Sequence, residues 1–273
     1  MNVDLGATFM GPDGRRLFVI THKPVSVVRG CVLLVPPFGD EMNKSRHLLA
    51  DVARGLVAAG FCTVLPDLYG TGDSDGEFRE ATWEHWKEDL RCIGTALAQQ
   101  GLTIEAMLCI RTGAALGIEV ARDAGWPLKQ TIIWQPVADG SRFLTQFLRL
   151  RVAASLGSDQ AETVAGLRQR LKQGEVLEVA GYELSPALAQ QLDRVSLAPL
   201  LASARGAILW LEIVPSGETM LPPLSAAGVA QAQASGADLQ AVAVAGEPFW
   251  ASSELVRVPE LARRTIAALA DQP

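Results

Sequence analysis

Residues 107–117, MLCIRTGAALG, place a guanidinium where the chain turns from an apolar run into a helix. MLCI reads as a buried strand and GAALGIEVARDA as a helix, so Arg111 and Thr112 form a sharp corner between them. Such a corner can present a nucleophile, but arginine stays protonated in proteins and cannot attack a carbonyl. The start of the following helix carries roughly half a positive charge from its unpaired N–H groups, and Arg111 adds a full charge beside it. A charge left unpaired in a partly buried place is costly, so something negative has to neutralise it. The chemistry this residue supports is recognition of an anion: a carboxylate, phosphate or sulfate held by the guanidinium fork and the helix N-terminus.

Other reactive residue types are sparse. The three histidines, His22, His47 and His85, all lie in the first third of the chain. His47 sits one turn into the first helix, where a surface position is expected. His85, between Trp83 and Trp86, reads as packing or solvent-facing. Cys31, Cys62, Cys92 and Cys109 form no C-x-x-C and sit in or beside apolar segments, the pattern of buried, reduced thiols. No spacing suggests a metal site, and no cofactor is expected. The loop Asp73-Ser74-Asp75 reads as Asx and Ser turn chemistry rather than a cation site. Ser216, Ser252 and Ser253 lie in edge loops, but no histidine follows them.

The elements that position these residues follow from size and pattern. A chain of 273 residues with 49% hydrophobic content suits one large α/β domain, or such a domain with an inserted cap. A net charge of −6, with no basic patch, argues against nucleic acid or an anionic membrane surface as partner. The opening MNVDLGATFM lacks the basic start and apolar run of a signal peptide, and no apolar run approaches the roughly 18 residues of a membrane span. The expectation is a cytoplasmic protein.

Along the chain, ATFM and LFVITH around Gly-Pro-Asp-Gly read as an antiparallel hairpin. GCVLLVPP, FCTVLPD, IEAMLCI and QTIIWQPV are continuous apolar runs, as expected of strands buried on both faces. Helical spacing separates them, with Ser45 expected to cap the first helix and Trp83, Trp86, Leu90, Ile93 and Leu97 on one face of the second. From 139 to 200 the pattern changes to apolar helical repeats around the extended piece EVLEVAGYEL. Strand and helix resume with GAILWLEIV, a helix near 223–235, LQAVAVAG and a closing helix near 253–270. The division is a core over 1–138, a helical cap over 139–200 and a second part of the core over 201–273. Strand-helix alternation with short loops means a mostly parallel sheet covered on both faces, with ligands held at its C-terminal edge under the cap.

The hairpin start, the DLYGTGDS loop after a strand and the corner at Arg111 together resemble the α/β-hydrolase fold. PPFGDEMNKSR (36–46), DLYGTGDSDGEF followed by WEHWKEDL, AGYELSP and GEPFW narrow the likeness to the exosortase A system-associated hydrolases of the second type. Those bacterial proteins are encoded beside exopolysaccharide and protein-sorting genes. By the resemblance, related operons also encode a first-type hydrolase that keeps a serine at the corner, a candidate partner for this chain.

The resemblance also says what the corner should hold. A nucleophile elbow has the form G-x-S-x-G, and its triad runs nucleophile, acid, histidine along the chain. Here the register is Cys109-Ile110-Arg111-Thr112-Gly113, so Arg111 occupies the serine position. Glu218, in PSGET, stands where the acid is expected, and Glu247, in GEPFW, near the lost histidine. A carboxylate that orients no imidazole has no triad function. Phe38 and Thr112 stand where two oxyanion-binding N–H groups are expected. Two readings of Arg111 follow. In one, Glu247, Asp40 or Glu41 neutralises it from within and leaves a static remnant. In the other, part of the guanidinium stays free for a small anionic or acyl ligand, with Trp250 the aromatic facing it. The function implied is a non-catalytic ligand-binding or partner subunit. The alternative is an ester or thioester hydrolase with atypical residues, such as Glu41 or Glu247 acting as base on water; Arg111 nearby is expected to lower such a carboxyl.

Overall fold

The computed structural model describes residues 3–155, 161–252 and 254–270. Ser253 lies outside them. The chain opens with β1 (Val3–Met10) and β2 (Leu17–Pro24), the expected antiparallel hairpin. Then come β3 (Gly30–Val35), α1 (Asp40–Ala58), β4 (Phe61–Pro66), a single 3-10 turn (Phe78–Glu80), α2 (Trp83–Gln99), β5 (Ile104–Ile110), α3 (Gly113–Ala124) and β6 (Gln130–Trp134). After an insertion the core continues with β9 (Ala207–Val214), α8 (Pro223–Ala234), β10 (Leu239–Ala245) and α9 (Pro259–Ala270).

Among the described residues, eight strands form one sheet in the order β1-β2-β4-β3-β5-β6-β9-β10. β1–β2 and β2–β4 are antiparallel and every later pair is parallel. The apolar runs are continuous because both faces are covered. In β3, Cys31, Leu33 and Val35 point into one core with α2, α3 and α8. Val32 and Leu34 point into the other, with α1 and α9. This is the period-two alternation of a strand buried twice.

Between β6 and β9 the chain leaves the sheet for α4 (Gly140–Ser155), α5 (Val164–Lys172), a two-stranded hairpin of β7 (Leu177–Val179) and β8 (Tyr182–Leu184), α6 (Pro186–Leu192) and α7 (Leu197–Ser203). The two ends of the insertion are tied together: Gly140 N–H donates to Val195 O at 2.9 Å and Leu197 N–H to Ala138 O at 3.1 Å. The extended piece EVLEVAGYEL is thus a hairpin, turned at Ala180 (φ 50°) and Gly181 (φ 84°).

Two local expectations are corrected. Ser45 does not cap α1; the helix begins at Asp40, and the Ser45 hydroxyl donates to Glu41 O at 2.6 Å inside it. Gly39, at φ 54°, makes the turn into the helix, and Asp40 and Glu41 occupy its positive first turn. The closing helix starts at Pro259 rather than near 253, because a proline is well placed at the first turn of a helix.

Candidate functional site: a sealed elbow

The corner at the end of β5 is built as a strained turn. Arg111 has φ 55°, an unusual conformation for a side chain of this size, costing on the order of 1–3 kcal/mol. Backbone bonds hold it: Arg111 N–H donates to Trp134 O at 3.0 Å, and Val137 N–H to Arg111 O at 3.3 Å. Gly113 is required for the same corner. A Cβ there would lie 2.5 Å from Pro36 O and 2.7 Å from Val35 O, so the end of β3 could not approach.

The guanidinium folds inward, and Arg111 is 9% exposed. Its Nε donates to the Glu41 oxygens at 3.2 and 3.3 Å, and Nη2 donates to Glu41 Oε1 at 3.0 Å. Nη1 donates to Gln135 O at 3.2 Å, and the group lies 4.7 Å from the Trp250 ring centroid. Carboxylate, carbonyl and aromatic face together neutralise the cation. Burial pushes the Glu41 carboxyl above the usual carboxylate range, and Arg111, expected to hold it down, offsets only part of this.

The other residues singled out in the sequence lie partly beside this corner and partly away from it. Asp40 pairs with Lys44 at 2.9 Å instead of reaching Arg111. Glu247 is exposed after β10 and Glu218 is exposed after β9, so neither carboxylate neutralises the elbow. Trp250, the aromatic expected at the site, lies over the Arg111 guanidinium. Two histidines bond backbone away from the corner: a ring nitrogen of His47 is 2.7 Å from Val256 O, and one of His85 is 3.1 Å from Glu80 O, while His22 lies in β2. Cys109 is buried at the end of β5, as its place in the strand required. Asp73-Ser74-Asp75 is turn chemistry: Asp73 N–H donates to Asp67 at 3.0 Å, the Ser74 hydroxyl to Asp67 O at 2.6 Å, and Asp75 pairs with Arg16. Among the described residues no group of side chains could hold a metal ion.

Phe38 and Thr112 do line one cavity behind the elbow, with Trp83, Trp86 and Leu116, but its volume is about 20 Å³. That is space for about one water. Phe38 itself fills the rest. Its ring makes edge contacts with Phe78, Trp86, Phe143 and Phe147, at centroid distances of 5.0 to 5.9 Å. Phe143 and Phe147 come from α4, so the insertion packs directly against Phe38.

Two residues were not singled out in the sequence. Gln135 follows β6 with φ 43°, and its side chain donates to Glu212 at 3.2 Å and accepts from Ile213 N–H at 2.6 Å. Glu212 is 3% exposed inside β9 and also accepts from Trp210 Nε1 at 2.7 Å and Ser225 Oγ at 2.6 Å. A polar chain therefore runs from Glu41 through Arg111 and Gln135 to Glu212. The lone carboxylate in the apolar run AILWLEIV was the available signal.

The strand order, the strained corner after β5 and the helices on both faces define the α/β-hydrolase fold. Solved structures agree. The chain is similar to Est1E from Butyrivibrio proteoclasticus, whose structure holds ferulic acid, at a TM-score of 0.69 and 16% identity over 97% of this chain and 99% of that one. It is also similar to the thioesterase domain from the curacin biosynthetic pathway (TM-score 0.59, 15% identity, 98% of each chain). A third is an alpha-beta serine hydrolase homologue from Coxiella burnetii (TM-score 0.60, 15% identity, 97% of each chain). No family model and no curated protein matches the chain.

Proposed function

We propose that this chain is a catalytically degenerate α/β-hydrolase-fold protein, tied to bacterial exopolysaccharide and exosortase loci, that acts in the cytoplasm as a non-catalytic subunit. The observation that carries the reading is the sealed elbow: Arg111 at the nucleophile position, clamped by Glu41. Losing the nucleophile and base of an acyl-transfer triad leaves about 10³- to 10⁴-fold over water from binding and an oxyanion site. The cavity behind the elbow, about 20 Å³, leaves little room for a substrate and supports the non-catalytic reading. The partner that fits this role is the first-type hydrolase of the same loci, the chain expected to keep the serine. The elbow's own anion-binding reading is weakened, because the guanidinium is already occupied.

One observation favours the alternative hydrolase. Burial raises the Glu41 carboxyl, as a base toward water would need. Both of its oxygens, however, accept from Arg111. The decisive experiment is a panel of ester and acyl-thioester substrates with wild type and Arg111→Ala, run beside co-purification with the first-type hydrolase. Turnover by wild type that Arg111→Ala alters would make the chain an enzyme. Background rates with stable co-purification fit the subunit. Failure to co-purify at micromolar concentration would remove that partner.

A further inference from the structure

The cap carries a second concave site that owes nothing to the elbow. It lies between α4, α5 and α6, encloses about 400 Å³, and falls in the range of small-molecule pockets. Leu144, Leu171 and Ala189 give it an apolar floor, each almost fully buried. Its charged lining is Arg168, Lys172, Arg194 and Asp193.

These charges do not cancel. Asp193 accepts from Arg168 Nη1 at 2.7 Å. Arg168 Nη2 is tied down further, to Ser141 O at 2.8 Å, Ser141 Oγ at 3.2 Å and Thr145 Oγ1 at 3.0 Å. This fixes one guanidinium at the wall of the cavity without using all five of its donors. Lys172 and Arg194 are exposed and have no side-chain hydrogen bond or ion pair among the described residues. One carboxylate against three cations leaves two positive charges around an apolar floor, on a chain whose net charge is −6. Local charge opposite to the whole marks where an anion is attracted, and a concave wall concentrates the field. The fixed Arg168 has already lost its rotamer freedom, so a ligand that meets it loses less entropy on binding.

We propose that this cap cavity binds a small organic anion with an apolar body, a carboxylate or phosphate monoester whose charge meets Arg168, Lys172 and Arg194 while its body lies on Leu144 and Leu171. The site would give the proposed non-catalytic subunit a ligand, and takes its biological sense from that reading. Its chemistry rests on the cap residues alone.

The test is calorimetric titration of the full chain at low salt with phenyl phosphate, benzoate, inorganic phosphate and neutral benzyl alcohol. Saturable binding of phenyl phosphate or benzoate is expected, tighter than that of inorganic phosphate, with none for benzyl alcohol. The surface variant Lys172→Glu/Arg194→Glu should weaken binding by about tenfold or more, because two attractive charges become repulsive. Arg111→Ala should leave it unchanged. No saturable binding of either organic anion to the folded wild type, or equal affinity in the charge-reversed variant, would overturn the cap site. Loss of binding in Arg111→Ala with retention in the double variant would also overturn it, and would place the ligand at the elbow instead. Ester turnover by wild type would count against the non-catalytic reading and leave these titrations unaffected.

Discussion

The Arg111 guanidinium and the Glu41 carboxylate meet edge to edge across the C-terminal end of the sheet, three contacts of 3.0 to 3.3 Å between residues seventy positions apart. One lies at the strained corner after β5, the other in the first turn of α1. The pair ties the end of β5 to the start of α1, beside a cavity of about 20 Å³.

The pair should be costly to break and cheap to replace. Glu41→Ala leaves a buried guanidinium without its counter-charge and is expected to destabilise the protein by about 3 kcal/mol. Arg111→Met with Glu41→Leu fills the same space without charge and should come within about 1 kcal/mol of wild type. Urea denaturation of wild type, Arg111→Met, Glu41→Leu and the double measures the coupling. A double variant no more stable than Glu41→Ala would show that the ion pair is indispensable to the packing.

A serine placed at the corner should not create esterase chemistry. In Arg111→Ser, p-nitrophenyl ester hydrolysis is expected to stay at the background rate, because no histidine follows His85 and neither His47 nor His85 lies on the elbow. Clear turnover by that variant would mean that another group supplies the base.

Burial raises the Glu41 carboxyl in the folded chain, so the native state holds its proton more tightly than the unfolded chain does. Between the ordinary carboxylate value and the raised one, the folded protein binds more protons, and stability falls as pH rises through that window. Wild type should therefore gain stability relative to Glu41→Gln as the pH drops from 7 toward about 4.3, the ordinary glutamate value. Urea midpoints at several pH values check the sign; the opposite trend would mean that Arg111 outweighs burial.

Glu212 holds the far end of the polar chain. Glu212→Ala strips the acceptor from Trp210 Nε1 and from the Gln135 amide, and is expected to cost about 1–3 kcal/mol for the donors left unsatisfied. Glu212→Gln keeps an oxygen and should cost less. Equal losses in the two variants, by thermal or urea unfolding, would show that packing rather than hydrogen bonding sets the cost.

The thiols should separate by exposure. Burial pushes the Cys109 and Cys92 thiols up, but Cys92 is only half-buried while Cys31, Cys62 and Cys109 are buried. Native alkylation at pH 8, followed by mass spectrometry, is expected to label Cys92 alone. Early labelling of Cys109 would mean that β5 opens.

Much of this was legible in the residues. Apolar runs alternating with helical spacing fixed the parallel sheet, because a strand buried on both faces has to be apolar throughout. Cys109-Ile110-Arg111-Thr112-Gly113 marked the corner, and the chain order alone showed that no histidine follows His85. What the chain order could not show was which carboxylate meets Arg111. Asp40 and Glu41 are neighbours, but successive helical residues point about 100° apart, so one turns to Lys44 and the other to the elbow. The aromatic contacts of Phe38, the hydrogen bonds of Gln135 and Glu212, and the cationic cavity between α4, α5 and α6 are likewise products of packing. Each joins segments distant in sequence, and only the folded chain decides which side chains from those segments share a space.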